Sequence, residues 1–152
     1  MPSAVAVRDV TSSDRPAWER LWRAYCDFYE TAMPDRVTAH TWRTILDPAQ
    51  PVGALVAERD GATVGFANYV VHPYTWSDRP ACYLEDLFVD PAARGGGAGR
   101  ALIEAVRARA LQLGCGRLYW MTREDNATAR RLYDTFAGRD AFVRYVVNIS
   151  SP

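Results

Sequence analysis

Four glycines fall within five positions in Gly95-Gly96-Gly97-Ala98-Gly99, between Arg94 and Arg100. They follow an apolar run that reads as a strand and open a segment that reads as a helix. Glycine lets the backbone turn tightly and come close to a ligand. A helix N-terminus behind such a turn offers N–H groups and the positive end of the helix dipole. Together these make an anion cradle. Two familiar phosphate loops fit it poorly. A nucleoside-triphosphate loop needs Gly-Lys-Ser/Thr, and here Gly99 is followed by Arg100-Ala101. A dinucleotide loop sits in a first βαβ unit and wants an acid at the end of the next strand. That strand, Leu118 to Met121, runs into Thr122-Arg123 with no acid before Glu124. All 18 basic residues are arginine, which excludes Schiff-base, P-loop-lysine and lysine-base chemistry. The three cysteines, Cys26, Cys82 and Cys115, lie far apart and form no CxxC pair. They read as reduced thiols of a cytoplasmic protein, and no metal centre is expected.

The elements that must position the loop follow from periodicity and punctuation. Ala4 to Asp9 reads as a first strand. Ser13 or Asp14 reads as a helix N-cap, with Pro16 in the first turn. Trp18, Leu21, Trp22, Tyr25, Phe28 and Tyr29 then recur at helical spacing. Pro34 to about Leu46 is a second helix. Val52 to Glu58 and Thr63 to about His72 are strands joined by an Asp60-Gly61 hairpin. An aromatic loop, His72 to Pro80, leads to the strand Cys82 to Val89. After the glycines come a helix, Arg100 to Leu113, a strand, Gly116 to Thr122, a helix, Asn126 to about Phe136, and a closing strand, Phe142 to Ile149. The order β-α-α-β-β-β-α-β-α-β predicts one α/β domain over 1–152, a mixed central sheet with helices on both faces.

Length and composition agree with that. The chain has 152 residues, 49% hydrophobic and 24% charged, with 18 acids against 18 arginines. Disordered, collagen-like and membrane-spanning classes are excluded, and the first ten residues lack a leader-type apolar stretch. Zero net charge and the lack of a basic helix argue against a nucleic-acid partner. Acids outnumber arginines thirteen to eight up to Asp90, and arginines outnumber acids eight to three over 91–131. That split is compatible with an anionic ligand on one part and a cationic one on another.

The run Tyr83-Leu84-Glu85-Asp86-Leu87-Phe88-Val89-Asp90-Pro91-Ala92-Ala93-Arg94-Gly95-Gly96-Gly97-Ala98-Gly99-Arg100-Ala101-Leu102 resembles motif A of the GNAT N-acetyltransferases. Arg94, Gly97 and Gly99 match the family's Arg/Gln-x-x-Gly-x-Gly/Ala cofactor loop. Asn126-x6-Tyr133 resembles its motif B, and the element order is similar along nearly the whole chain. Within the family the chain looks most like the Hpa2-like and diamine/polyamine acetyltransferase branch, to which the loop His72 to Ser77 is also similar. One departure is the segment after Tyr133, where Thr135 to Phe142 replaces the usual Gly-Phe.

The resemblance implies acetyl-CoA as cofactor and direct transfer of its acetyl group to an amine, with no covalent enzyme intermediate. The pyrophosphate would lie on the amides of Gly95, Gly96, Gly97, Ala98, Gly99 and Arg100. The pantetheine arm would pair along Leu87, Phe88 and Val89. Arg94 and Arg100 are implied phosphate contacts, Arg130 a further one, and Asn126 would cap its helix and touch the cofactor arm. Glu85 takes the place of the general base and Tyr133 that of the general acid. Asp86 would help hold a cation. Strand alternation sends Glu85 and Asp86 to opposite faces unless the strand bulges, as it does in the family. The acceptor side would be built by the first two helices and the His72–Pro80 loop, with Tyr29, Glu30 and Trp76 as substrate contacts and His72 as an alternative base. The implied partner is a small-molecule or peptide amine, and the implied assembly a homodimer. The competing reading is a catalytically silent acyl-CoA-binding domain on the same fold.

Overall fold

Five strands and four α-helices form among the described residues. A computed structural model describes residues 3–150. Positions 1, 2, 151 and 152 of the expected 1–152 domain lie outside the described residues. The chain divides into two compact units, one ending at Met121 and one beginning at Thr122. The first contains β1 (Ala6–Asp9), α1 (Arg15–Phe28), α2 (Asp35–Leu46), β2 (Val52–Arg59), β3 (Ala62–His72), β4 (Ala81–Val89), α3 (Ala98–Gln112) and β5 (Arg117–Tyr119). The second contains α4 (Ala127–Tyr133).

The sheet runs β1-β2-β3-β4-β5 in sequence order. Its first three pairings are antiparallel, and β4 with β5 is parallel. The hairpin falls where Asp60-Gly61 predicts it. Both residues take positive φ, 53° and 77°, the pair of left-handed residues a two-residue hairpin turn needs.

Register assigns the two faces. Phe66 opposes Phe88, and both join one core cluster with Val56, Trp18, Trp22 and Trp42. Alternation therefore puts Phe66, Asn68, Val70 and His72 of β3 on the α1/α2 face. Trp18 stacks on Trp22 at 5.3 Å and meets Trp42 at 5.0 Å. The first half of the aromatic stripe is thus core, and it seats α1 on the sheet. The opposite face carries α3, whose Leu102, Ile103 and Val106 are fully buried. Arg109 of α3 donates to the Tyr69 hydroxyl at 2.8 Å and forms an ion pair with Asp9.

Four local expectations need correction. Asp14 takes the N-cap position of α1, as expected, but its carboxylate makes no capping bond to that helix. It accepts from both Arg8 Nη atoms, at 2.7 and 2.8 Å, and from the Thr11 amide at 2.7 Å. An ion pair to β1 outcompetes the cap. The strand β5 is three residues long instead of seven, because parallel pairing with β4 stops at Tyr83, just before β4 bulges. The helix α4 ends at Tyr133, three residues early. No closing strand forms over Phe142–Ile149. β-propensity is realised only against a neighbouring strand, and no described strand pairs with this segment. Its apolar side chains stay out, Tyr145 and Ile149 each 91% exposed.

Candidate active site

The chemistry-bearing residues of the first unit lie along β4 and at its end. In β3/β4 pairing, Asn68 opposes Asp86 but Tyr69 opposes Leu84, so Glu85 is an extra residue on β4. Leu84 and Leu87 oppose Tyr69 and Ala67 and so share the α3 face, three positions apart. Two carboxylates occupy the stretch between them where a regular strand has one residue. This is a β-bulge, and it removes the alternation that would separate Glu85 from Asp86.

Asp86 is bound into α1. Asn68 Nδ2 donates to Asp86 Oδ2 at 3.0 Å, and Asn68 Oδ1 accepts from Trp18 Nε1 at 3.3 Å. The Tyr25 hydroxyl also acts on the Asp86 carboxyl. Burial pushes that carboxyl above its ordinary value, and Asn68 and Tyr25 oppose the shift. Glu85 is more exposed. Burial and then the nearby Asp86 charge raise it too. No arginine among the described residues pairs with Glu85, so it is not a sheet-edge salt bridge.

Farther along the same face, Tyr83 stacks on Tyr119 at 4.9 Å. His72 Nε2 and the Tyr119 hydroxyl are 2.7 Å apart, and His72 Nδ1 lies 2.7 Å from the Pro73 carbonyl. A carbonyl only accepts, so Nδ1 carries the hydrogen; in the neutral ring, Tyr119 then donates to Nε2. Burial raises the Tyr119 hydroxyl, and Glu85 contributes to that rise. A cleft of about 380 Å³ opens beside His72, lined also by Tyr74, Ser77, Asp78 and Arg79.

Of the expected substrate contacts, Asp86 and Tyr29 belong to this neighbourhood. The Tyr29 ring lies edge-on to Tyr25 at 5.0 Å. Glu30 is exposed just past α1, with φ 53°. Trp76 is 80% exposed, its ring 6.2 Å from Tyr74.

Beyond Val89 the Asp90 carboxylate accepts from the Ala92 amide at 3.0 Å and from Arg20 at 3.1 Å, which turns the chain out of the sheet. Gly95 and Gly97 adopt φ of 81° and 84°. Gly97 occupies the N-cap of α3 without a side chain, and Ala98, Gly99 and Arg100 form the first turn. Backbone N–H groups of such a turn point out of the helix end. Arg94 is exposed, its Nε bonded to the Val89 carbonyl at 3.2 Å and its guanidinium 5.7 Å from the Phe88 ring centre. Leu87 and Val89 are half-buried and Phe88 buried. Arg100 is exposed at the helix start.

In the second unit Asn126 is the N-cap of α4, accepting from the Ala129 amide at 3.4 Å and donating to Thr122 Oγ1 at 3.1 Å. Arg130 donates to the Glu124 carbonyl at 2.6 Å. Tyr133 is the last residue of α4.

Asn68, Arg59 and Tyr119 lie outside the motifs that the sequence shows. Asn68 had a signal, an amide in the middle of the apolar run Phe66 to Val71. Tyr25 was one ring of a stripe, and nothing in its spacing separated it from core.

The acetyltransferase (GNAT) family model matches residues 15–138. The D-amino-acid N-acetyltransferase HPA3 of Saccharomyces cerevisiae is 36% identical over 95% of this chain and 91% of its own length. The aminoglycoside N(6')-acetyltransferase type 1 of Stenotrophomonas maltophilia is 30% identical over 84% of this chain and 81% of its own. The structure of AAC(6')-Iy with a bisubstrate analog has a TM-score of 0.83 at 22% identity, covering 97% of this chain and 100% of that one, a likeness of fold. With its bulged acid strand running directly into a glycine-rich helix start, this chain belongs to the GNAT acetyltransferase family and is an acyltransferase.

Proposed function

We propose that the protein moves the acetyl group of acetyl-CoA to a primary amine by direct attack within a ternary complex. The observation that carries this reading is the bulge at Glu85, which sets two carboxylates together on the strand that leads into the glycine loop. The loop fits a pyrophosphate: two left-handed glycines with open space beside them and a helix start offer backbone amides. Bound acetyl-CoA supplies an activated thioester. The chain's own groups do the rest. An acceptor ammonium of pKa about 10.4 is neutral in only roughly one molecule in 2,500 at pH 7. Glu85, unpaired and held above the usual carboxylate range, takes that proton, directly or through water. Asp86, fixed by Asn68 and Tyr25, holds the cation beforehand, and Tyr25 and Tyr29 give its apolar part a surface. Tyr133 donates a proton to the leaving thiolate. The support for Tyr133 is its spacing from Asn126, which caps α4.

The acceptor class is a diamine or polyamine, an amino acid, or a lysine side chain, in an Hpa2-like enzyme. Two of the relatives are named for amine-bearing substrates, D-amino acids and aminoglycosides. A cytoplasmic site of action belongs to the reading and is supported by three cysteines that are buried and unpaired. So does a homodimer, supported by the uncovered apolar segment Phe142–Ile149. Light scattering tests the dimer.

The deciding assay is thiol release from acetyl-CoA against diamines, polyamines, D- and L-amino acids, aminoglycosides and basic peptides. Wild type runs beside Tyr133→Phe and Glu85→Gln. Amine-dependent release is expected, reduced on the order of 10²- to 10⁴-fold in either variant. Tight CoA binding without turnover on any amine refutes the enzyme reading and leaves the acyl-CoA-binding domain.

A further inference from the structure

Arg59 closes β2 at the hairpin and reaches across to the glycine loop. Its Nη2 donates to the Ala93 carbonyl at 3.3 Å. Its guanidinium lies against Gly96, so a Cβ at that position would run into it. Its Nε is buried and has no acceptor among the described residues. The acids on the neighbouring strand ends are already taken, Glu58 by Arg8 and Asp90 by Arg20. A guanidinium presents five donors in a planar fork that suits phosphate. Among the described residues only Nη2 of that fork has an acceptor, beside backbone already shaped for an anion. Arg94 is placed differently, turned back along β4 onto Val89 and Phe88.

We propose that Arg59 is a phosphate-binding residue for the nucleotide half of the cofactor, acting at the Gly96 edge of the loop. It comes from a hairpin distant in sequence from the loop motif. The inference rests on the reading of the loop as the CoA cradle. It also gives Gly96 a different task from its neighbours: Gly95 and Gly97 are needed for their backbone conformation, Gly96 for the room it leaves Arg59.

The test is titration calorimetry of the whole chain with CoA, 3'-dephospho-CoA and acetyl-pantetheine, which has no phosphate. The variants are Arg59→Ala, Arg59→Lys and Arg59→Gln, with melting curves to confirm folding. Arg59→Ala and Arg59→Gln should each weaken CoA about 10- to 100-fold and leave acetyl-pantetheine within about two-fold, with Arg59→Lys between them and wild type. If the deficit persists with 3'-dephospho-CoA, the pyrophosphate is the ligand; if it vanishes, the 3'-phosphate is. Arg59→Gln keeps an amide that can donate to the Ala93 carbonyl. If it binds CoA like wild type, Arg59 only braces the loop and the proposal fails. Equal losses for CoA and acetyl-pantetheine also overturn it. Wild type binding CoA no better than acetyl-pantetheine would instead refute the cradle itself.

Discussion

Replacing Gly97 by alanine isolates the conformational share of the cradle. Gly97 has φ 84° and sits at the N-cap of α3. A Cβ built there meets nothing within 4 Å, so sterics with the rest of the protein contribute nothing. The cost is that of a left-handed alanine, about 1–2 kcal/mol. Where that cost shows depends on the free loop. If the loop keeps its shape, stability falls by the full amount, about 2–8 °C in melting temperature for a chain of this size. If it relaxes, CoA binding must restore it and affinity falls about 5- to 30-fold. Gly97→Asn is the control, because asparagine tolerates the left-handed region far better than alanine, and it should recover most of the loss. Melting curves and calorimetry with CoA on the three proteins read both channels. If Gly97→Ala changes neither, or if Gly97→Asn is worse than Gly97→Ala in both, the loop is not held by a left-handed Gly97 and the argument fails.

Other outcomes follow from the same geometry. Because the Asp86 charge helps raise Glu85, Asp86→Asn should move the acidic limb of the kcat/KM profile to lower pH, and Glu85→Gln should abolish that limb; a limb unmoved by Asp86→Asn assigns it to another group. Tyr25→Phe removes one of the two groups that oppose protonation of Asp86, so the KM of a cationic amine should rise several-fold with little change in kcat, as steady-state kinetics would show. Asp14 is held at about 2, chiefly by its hydrogen bonds from Arg8. A depressed carboxylate stabilises the fold above its unfolded value of 3.8 and loses that contribution as pH falls toward 2. Arg8 is 40% exposed, so solvent discounts the pair to about 1 kcal/mol. Asp14→Asn should cost that much at pH 7 and much less near pH 2, and chemical denaturation at the two pH values checks it.

What could be read before folding was whatever a local pattern specifies. The glycine cluster, the hairpin at Asp60-Gly61 and the amphipathic α1 are local, and each forms where expected. The bulge is not local. Whether Glu85 and Asp86 share a face depends on how β3 pairs, and only the register opposite Asn68 shows it. The same holds for Tyr25, which is core by its spacing and site by its contact with Asp86. Arg59 was invisible because its partner lies across a hairpin. The closing strand failed for the opposite reason. Phe142 to Ile149 has the right composition, but composition supplies no neighbour, and the segment stays unpaired.

Burying Asp86 at the bulge also costs stability. Asp86 is raised in the folded protein, chiefly by burial. A carboxyl whose folded value exceeds its unfolded one binds its proton more tightly when folded. Near pH 7 it is nonetheless ionised in the unfolded chain, so its charge works against folding there. Asp86→Asn should therefore stabilise the protein near neutral pH, and the advantage should shrink as acid gives wild-type Asp86 its own proton. The asparagine can keep the bond from Asn68, its oxygen accepting. A residue that weakens the fold at its working pH needs another reason to be there. Under the proposed function that reason is an arriving cation, so the variant that gains stability should lose affinity for the amine. Melting curves across pH, set beside amine KM values, test both halves. If Asp86→Asn is destabilised equally at neutral and acid pH, the carboxylate is structural and the cation site is misplaced.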